Sequence, residues 1–216
     1  MLTNPSQVPD VVVLRLPLYV RALNSILRDG DEVVSSQQLG ARLQMTPAQI
    51  RKDLSYFGRF GKQGRGYDAR FLLNELGQIL GLDRSWHACL IGMGRLGQAI
   101  INYPGFAPEG FDIVAAFDSA ADQVGNEVAG LTVKPMSALQ STIGKLSIDI
   151  AIVAVPGAQA QAVVDELAET DIKGILNYAP VGLNVPPRIV TRNIDPVLSL
   201  QSLTFYLLRN ERPETA

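Results

Sequence analysis

A glycine-rich turn constrains this chain more than any other feature. The apolar run Ala88-Cys89-Leu90-Ile91 is followed at once by Gly92-Met93-Gly94-Arg95-Leu96-Gly97. In a strand–turn–helix unit the first glycine makes the tight turn, the second lets a pyrophosphate approach the backbone, and the third lets the helix pack on the strand. The free N–H groups at the helix N-terminus attract phosphate. The segment therefore predicts the phosphate-binding turn of a dinucleotide-binding βαβ unit.

The end of the next predicted strand indicates which dinucleotide. That strand runs from 111 to 117 and ends in Asp118, which lies 21 residues after Gly97. A carboxylate at this position bonds the ribose hydroxyls and repels a 2′-phosphate. We therefore predict NADH and NAD⁺ as ligands in preference to NADPH. The alternative is a structural glycine turn with an aspartate that only caps a loop.

Further strands alternate with helices in the second half of the chain. Apolar runs at 88–91, 112–117, 131–133, 148–154, 173–176 and 188–191 predict a doubly wound parallel sheet. Ligands bind at the carboxyl ends of such strands. There we expect Asn177 to contact the nicotinamide and Pro156 and Ala179 to form its apolar walls. The predicted contacts also include Val155, Tyr178 and Pro180; the alternative is that the two segments only connect strands to helices.

The sequence lacks recognisable catalytic machinery beside this crevice. The one histidine, His87, precedes the first strand of the predicted sheet, at the end opposite the cofactor, and Cys89 lies within that strand. A dehydrogenase needs an acid–base group near the hydride-transfer site. We therefore predict no catalytic residues, no metal site and no enzymatic activity, so that the nucleotide is sensed rather than turned over.

The first half of the chain has helical periodicity and a basic centre. We expect Leu18, Ala22 and Ile26 to lie on the side of the first long helix that faces the core of the domain. Ser35 with Gln38 predicts a capping box, and Thr46-Pro47 with Gln49 predicts a second helix start, with Gln49 reaching back to the cap. Residues 42–70 carry 7 Lys and Arg against 2 Asp and Glu. This asymmetry favours a nucleic-acid partner, although a solvated basic surface would also explain it.

The helix predicted over 46–57 has two distinct faces. Ile50, Leu54 and Phe57 form an apolar stripe, and the other face carries Ala48, Arg51, Lys52, Ser55 and Tyr56. Two cations, a hydroxyl and a phenol on the second helix of a helix-turn-helix suit the DNA major groove. The glycine-rich segment after it predicts a wing whose Lys62 and Arg65 reach DNA. A small helical dimerisation or cap domain is the alternative.

Composition limits the remaining classes. The 216 residues are 47% hydrophobic, enough for two modest cores, and no apolar run approaches the length that spans a bilayer. The single cysteine and the absence of a signal-peptide pattern favour a cytoplasmic protein. We predict a winged-helix domain over 1–84, a Rossmann domain over 85–195 and a C-terminal helix and tail over 196–216.

Several stretches together resemble the Rex family of bacterial redox-sensing repressors. They include Arg15-Leu16-Pro17-Leu18-Tyr19, the stretch from Gln49 to Gly58, Gly64-Arg65-Gly66-Tyr67, the glycine turn, Tyr103-Pro104-Gly105-Phe106 and Gly174-Ile175-Leu176-Asn177-Tyr178-Ala179-Pro180. The resemblance implies a homodimer that binds palindromic operator DNA and is released by NADH. It implies a switch built from Arg21, Tyr103 and the Asp195 of a partner.

The resemblance also implies that the C-terminal helix is exchanged between subunits. Residues 196–208 carry no charge, and Leu200, Leu203, Leu207 and Leu208 share a stripe, so such a helix must be buried either by a partner or within its own chain. The residues predicted to contact DNA are Ser36, Gln37, Thr46, Gln49, Arg51, Lys52, Ser55, Tyr56, Arg59, Lys62 and Arg65.

The predicted fold is thus α/β, with an N-terminal winged helix-turn-helix and a C-terminal Rossmann sheet followed by a domain-swapped helix. The predicted function is an NADH-responsive transcriptional repressor. A small NAD-dependent oxidoreductase with a helical cap, or a nucleotide- or CoA-binding module of a larger assembly, would share parts of this pattern.

Overall fold

The computed structural model describes residues 8–62 and 66–211. The chain divides into two compact units, Met1–Arg84 and Ser85–Ala216, so the last helix is grouped with the second unit. Among the described residues no helix is both long and apolar enough to cross a membrane. Lys62 is described by its main chain only, and Arg65 and Gly64 lie outside the described residues.

The first unit is a winged helix. Its elements are α1 (Asp10–Val13), α2 (Leu16–Arg28), β1 (Val33–Val34), α3 (Ser36–Leu43), α4 (Pro47–Ser55), β2 (Gly61–Lys62), β3 (Gly66–Asp68) and α5 (Ala69–Leu80). The three strands form an antiparallel sheet in the order β1-β3-β2. The helix-turn-helix predicted from the sequence corresponds to α3 and α4, and the wing to β2 and β3.

The predicted helix starts are present, with one correction. Ser35 and Gln38 form the reciprocal capping box. The Thr46 side chain accepts a hydrogen bond from the Gln49 N–H, but the Gln49 side chain does not return to the cap. Its amide nitrogen donates instead to Asp53 Oδ1 at 2.7 Å, because a buried carboxylate one turn further on is the stronger acceptor.

The core of the first unit lies between α2, α3, α4 and α5. Tyr19, Leu23 and Ile26 of α2 are fully buried, whereas the expected core residue Leu18 is exposed. The expectation for Leu18 was wrong because the stripe is centred one position further along, on Tyr19. Ile50 and Leu54 are buried as predicted, and Phe57 is half-buried after the end of α4.

A buried ion pair joins α2 to α4. The Asp53 side chain is fully buried and accepts hydrogen bonds from Arg15 Nε at 2.6 Å and Arg15 Nη2 at 2.7 Å. Tyr19 Oη donates to the same carboxylate at 2.6 Å. Burial alone would raise the pKa of Asp53, but the hydrogen bonds from Arg15, Tyr19 and Gln49 outweigh it and lower the pKa. Asp53 therefore remains ionised inside the unit.

The second unit is a doubly wound sheet. Its elements are β4 (Trp86–Ile91), α6 (Arg95–Ile101), β5 (Phe111–Asp118), β6 (Glu127–Val128), β7 (Leu131–Pro135), α7 (Leu139–Leu146), β8 (Ile150–Val153), α8 (Gly157–Ala168), β9 (Gly174–Asn177), β10 (Val190–Asn193) and α9 (Pro196–Glu211). All six predicted strands are present. The seventh, β6, was missed because two residues give no period to detect.

The order of the strands shows where the ligand-binding crevice of the sheet lies. The sheet runs β10-β9-β8-β4-β5-β7-β6, with every pairing parallel except β6 with β7. The chain begins in the centre at β4, winds outward through β5 to β7, and returns to build the other half from β8. The order therefore reverses between β4 and β8, and ligands bind at the carboxyl ends of the strands at such a point.

The last helix is exposed in the isolated chain. The apolar side chains of α9 are about half to two-thirds exposed, at Val197, Leu198, Leu200, Leu203, Phe205, Tyr206, Leu207 and Leu208. The alternative that this helix packs within its own chain is therefore wrong for the residues described. A contiguous exposed apolar surface of this kind marks an interaction site.

Replacing Asp53 by alanine should strongly destabilise the first unit. The substitution leaves the buried Tyr19 hydroxyl without its acceptor and the Arg15 guanidinium, whose side chain is 21% exposed, without its counter-ion, so we expect a loss of about 2–3 kcal/mol. Hydrogen exchange of α2 and α4 peptides in the full chain would measure it.

The matched control is Asp29→Ala, which removes a surface pair with Arg42 (2.6 Å) whose side chains are 38% and 53% exposed. This variant should lose less than about 1 kcal/mol. Equal losses in the two variants would contradict the assignment of Asp53 as the main anchor.

Candidate functional site

The glycine turn has the tight bend at Gly92 and the close helix contact at Gly97 that the sequence predicts. Gly92 has a φ of +97°, and a Cβ there would lie 2.6 Å from the Ala154 carbonyl oxygen. A Cβ on Gly97 would lie 1.8 Å from the Gly92 carbonyl oxygen, so α6 touches the turn directly. A Cβ on Gly94 would have no atom within 4 Å, and the backbone there faces open space. This is the geometry that admits a phosphate group.

Asp118 joins the end of β5 to this turn. Its Oδ2 accepts a hydrogen bond from the Met93 main-chain N–H at 2.6 Å, and its Oδ1 accepts one from the Ala120 N–H at 2.8 Å. Each carboxylate oxygen has a second acceptor position. The carboxylate is thus held in place by the main chain and can still accept hydrogen bonds from ribose hydroxyls.

A cavity of about 460 Å³ lies beside the turn, at the carboxyl ends of β4, β5 and β8. Five predicted residues line it, namely Gly92, Gly94, Asp118, Val155 and Pro156. The sequence reasoning missed its other walls, which come from the loop after β5, from Met136 and from one side of α8: Ser119, Ala120, Asp122, Gln123, Met136, Gln159, Ala162, Val163 and Glu166. The α8 residues recur at spacings of three and four, a signal that marks a helix face but not what it faces.

Three residues of the predicted turn contribute in other ways. Met93 has a fully buried side chain and offers only its main chain. Arg95 and Leu96 are exposed at the start of α6. Arg95 is thus the cation nearest in sequence to the second and third glycines.

The loop after β9 is organised differently from the expectation. Asn177 is fully buried, with Nδ2 donating to the Ala179 carbonyl and to Asn193 Oδ1, both at 3.0 Å, and with Oδ1 accepting from the Ala179 N–H. These hydrogen bonds hold the loop in place, and the contact of Asn177 with the nicotinamide stays a prediction. Ala179 is buried, Tyr178 is half-buried and Pro180 is exposed, and none of these lines the 460 Å³ cavity.

His87 and Cys89 lie away from the cavity, as expected. His87 is the second residue of β4, at the end of the strand opposite the turn, and its Nδ1 lies 2.9 Å from the Leu146 carbonyl oxygen. Cys89 is fully buried, and this burial raises the pKa of its thiol to about 12. A thiol with that pKa remains protonated and unreactive.

The first unit presents a polar helix face. Arg51, Lys52 and Ser55 of α4 are exposed together with Ala48, as the periodicity predicts. Tyr56 is only half-buried and follows the last residue of the helix.

The start of α3 adjoins this face. Arg51 Nη1 donates to Ser36 Oγ at 2.9 Å, and Gln37 beside it is exposed. Thr46 and Arg59 are exposed at either end of α4. Among the predicted DNA contacts Gln49 is half-buried and bonded to Asp53, and Lys62 lies on β2 of the wing.

The three predicted switch residues have different surroundings. Arg21 is exposed on α2 of the first unit. In the second unit Tyr103 is 58% exposed and packs edge-on against Phe106, with ring centroids 5.2 Å apart. Asp195 Oδ1 accepts a hydrogen bond from the Val197 N–H and so caps the start of α9.

Sequence reasoning also missed Asp53 as a key residue. Its partner Arg15 lies 38 residues away in the sequence, and no local pattern links the two. Residues 8–62 and 66–211 contain no cluster of three or more His, Cys, Asp or Glu side chains that could hold a metal ion.

Comparisons with known proteins agree with this two-part organisation. The family model described as "CoA binding domain" matches residues 83–181, and that described as "Putative DNA-binding protein N-terminus" matches residues 7–55. The redox-sensing transcriptional repressor Rex of Chloroflexus aurantiacus is 51% identical over 203 residues, which are 94% of this chain and 96% of that protein. Redox-sensing transcriptional repressor Rex 1 of Thermotoga maritima is 42% identical over 94% of this chain and 97% of that protein.

Solved structures show the same similarity. The crystal structure of RSP in complex with β-NAD⁺ and operator DNA superposes with a TM-score of 0.88 at 36% identity, over 97% of this chain and 99% of that chain. RSP in complex with β-NADH gives a TM-score of 0.86 at 34% identity, over 95% and 96% of the two chains. RSP is described as a Rex-family repressor.

Replacing Gly97 by alanine should disrupt the turn. Both atoms in the 1.8 Å contact would belong to the main chain or be fixed to it, so neither can swing away. We expect a loss of about 3 kcal/mol, at the upper end for an overpacked site. Urea unfolding followed by the fluorescence of Trp86, the single tryptophan, reports on this unit.

Gly144→Ala is the matched control, since Gly144 lies on α7 and a Cβ there meets no atom within 4 Å. It should stabilise the unit by about 0.5–1 kcal/mol. A Gly97→Ala protein as stable as this control would show that α6 does not press on the turn.

Proposed function

This chain belongs to the Rex family of redox-sensing transcriptional repressors, and on that premise we propose that it binds operator DNA through its first unit and leaves the DNA when NADH occupies the cavity of its second unit. The proposal rests on one pairing. A winged helix with an exposed cationic face occurs in the same chain as a dinucleotide cavity beside a glycine turn.

The cavity supports NAD(H) through its shape and charge. The backbone at Gly94 is open to a pyrophosphate, and Asp118 offers acceptor positions for ribose hydroxyls. The ionisable side chains that line the described cavity are Asp118, Asp122 and Glu166, which are all acidic. A 2′-phosphate would add two negative charges to this wall, so NADH is favoured over NADPH. RSP was crystallised with β-NAD⁺ and with β-NADH, which agrees with this choice.

The face of α4 supports recognition of double-stranded DNA. Arg51, Lys52 and Ser55 point away from the core on the second helix of the helix-turn-helix, which is the helix that enters the major groove in such folds. We propose that Ser36, Gln37, Thr46, Tyr56, Arg59, Lys62 and Arg65 complete the contacts. Gln49 contributes through Asp53 rather than directly.

A second copy of the chain is the proposed cover of α9. The helix is uncharged over 196–208 and leaves its leucine stripe exposed, so a homodimer that exchanges this helix would bury it. In this dimer Arg21, Tyr103 and the partner's Asp195 form the proposed switch. NADH then releases DNA only if it binds more tightly to the dimer geometry in which the recognition helices no longer match two half-sites.

We also propose that the protein senses the nucleotide without turning it over and works in the cytoplasm, where its DNA is. The names of its relatives are those of regulators. The alternative oxidoreductase would show steady consumption of NADH with small carbonyl compounds.

NADH should weaken operator binding. The probe is a palindromic duplex selected by the wild-type protein from a random pool, and fluorescence anisotropy measures its Kd. Couplings in such switches are typically about 1–3 kcal/mol, so saturating NADH should raise the Kd by about 5–150-fold, and NAD⁺ should raise it less. An unchanged Kd with NADH would overturn the proposed function.

Lys52→Ala tests the DNA-binding face in the same assay. If Lys52 contacts a phosphate, the variant should bind more weakly and lower the slope of log K against log salt by about 0.9. Lys145→Ala, which removes an exposed lysine of α7, should match the wild type. Indistinguishable variants would remove Lys52 from the contact surface.

Asp118→Asn tests nucleotide selection. Isothermal titration of the wild type should show NADH binding at least about tenfold more tightly than NADPH. In the variant the ratio of the two Kd values should be smaller, because the charge that faces the 2′-phosphate is removed. Asp171→Asn, an exposed acid after α8, should leave the ratio unchanged. A wild type that binds NADPH as tightly as NADH would contradict the role of Asp118.

A further inference from the structure

The buried carboxylate of the first unit has a task beyond stability. Resting on the proposed function, we propose that Asp53, held by Arg15 and Tyr19, is a positioning residue that sets the rotation of α4 about its axis and thereby the sequence preference of the DNA-binding face. In this proposal Asp53 does not contact DNA, because its side chain lies on the core-facing side of α4 and has no exposed surface.

The hydrogen bonds at Asp53 fill its acceptor positions. Oδ2 accepts from Arg15 Nε and Tyr19 Oη, and Oδ1 accepts from Arg15 Nη2 and Gln49 Nε2, all within 2.6–2.7 Å. A carboxylate offers about four lone-pair positions, so each oxygen here is saturated. Three of the four donor atoms belong to Arg15, at the cap of α2, and Tyr19, within α2. The bonds are directional, and together they fix where Asp53 points relative to α2.

The direction of Asp53 decides the direction of the opposite face. Successive residues of an α-helix are turned by about 100°, so Arg51 and Ser55 project about 160° from Asp53. These are the residues that the structure leaves exposed. A rotation of about 20° would move a side-chain tip about 6 Å from the axis by about 2 Å. Such a shift breaks base-edge hydrogen bonds, which require distances of about 2.7–3.2 Å.

Apolar packing alone would not provide this control. Ile50 and Leu54 pack against the core, but hydrophobic contact is non-directional and tolerates small rotations. Buried ionic groups often add little net stability, and their best-attested use is to select one register or arrangement. The exposed Arg42 pair with Ser25 and Asp29 also joins α2 to its neighbour, but it attaches to α3 rather than α4.

Tyr19→Phe is the most direct test, because it removes one donor and keeps the buried ring. The full-chain variant is compared with wild type on two probes, the duplex selected by the wild type and a scrambled duplex of equal length and composition. We expect its preference for the selected duplex to fall about tenfold, the size of one lost base contact. The slope of log K against log salt on the scrambled duplex should not change, since the cations remain.

Arg15→Lys provides a second variant that keeps the charge but loses the two-pronged geometry. It should reduce the preference in the same way. Arg42→Ala is the control and should retain the wild-type preference. Hydrogen exchange of α4 in each variant confirms that the helix is still formed.

The proposal is overturned if Tyr19→Phe and Arg15→Lys both keep the wild-type preference for the selected duplex while losing stability. Asp53 would then have a purely structural role. Equal losses on both duplexes would also overturn it, because a general loss of affinity is not a change of preference. A wild-type protein with no preference between the duplexes would instead count against the proposed function itself.

Discussion

The contact between Gly97 and the Gly92 carbonyl is the constraint on which the second unit depends. At this point the first helix of the sheet domain lies against the turn that precedes it, with no room for a side chain. In the same turn Gly94 lines the cavity, and the Met93 N–H donates to the Asp118 carboxylate at 2.6 Å. One short segment thus holds both the proposed phosphate position and the carboxylate proposed to bind ribose.

In the first unit an ion pair, rather than a close main-chain contact, fixes the orientation of a helix. Over residues 8–62 and 66–84 the structure shows only short strands, β1, β2 and β3, of two, two and three residues. A buried ion pair fixes α4 against α2 instead. The two units therefore differ in what fixes their geometry: a close main-chain contact at Gly97 in the second unit, and hydrogen bonds to the buried Asp53 carboxylate in the first.

The parts predicted from sequence are those governed by local rules. The capping box at Ser35, the αL residue Gly81 that ends α5, and the six longer strands follow from neighbouring residues alone. Asp118 was found because its distance from the glycine turn is a property of the βαβ unit. The pairing of Asp53 with Arg15 could not be found this way, since 38 residues separate the two and neither has a periodic signature. The hydrogen bond from Asn177 to Asn193 could not be found either, because Asn193 lies 16 residues away on the neighbouring strand β10.

The helix α9 carries both an exposed apolar surface and, at its start, the proposed switch residue Asp195. The apolar side chains of α9 are about half to two-thirds exposed in the single chain, and an exposed apolar surface of this size is typical of an interaction site. The proposed homodimer would bury it. Asp195 caps the start of this helix and is also a proposed switch residue. A partner that displaced the Val197 N–H from Asp195 Oδ1 would remove this helix cap. In the homodimer proposed above, α9 would lie at the subunit interface, and a preference of NADH for one dimer geometry would be the means by which it weakens DNA binding.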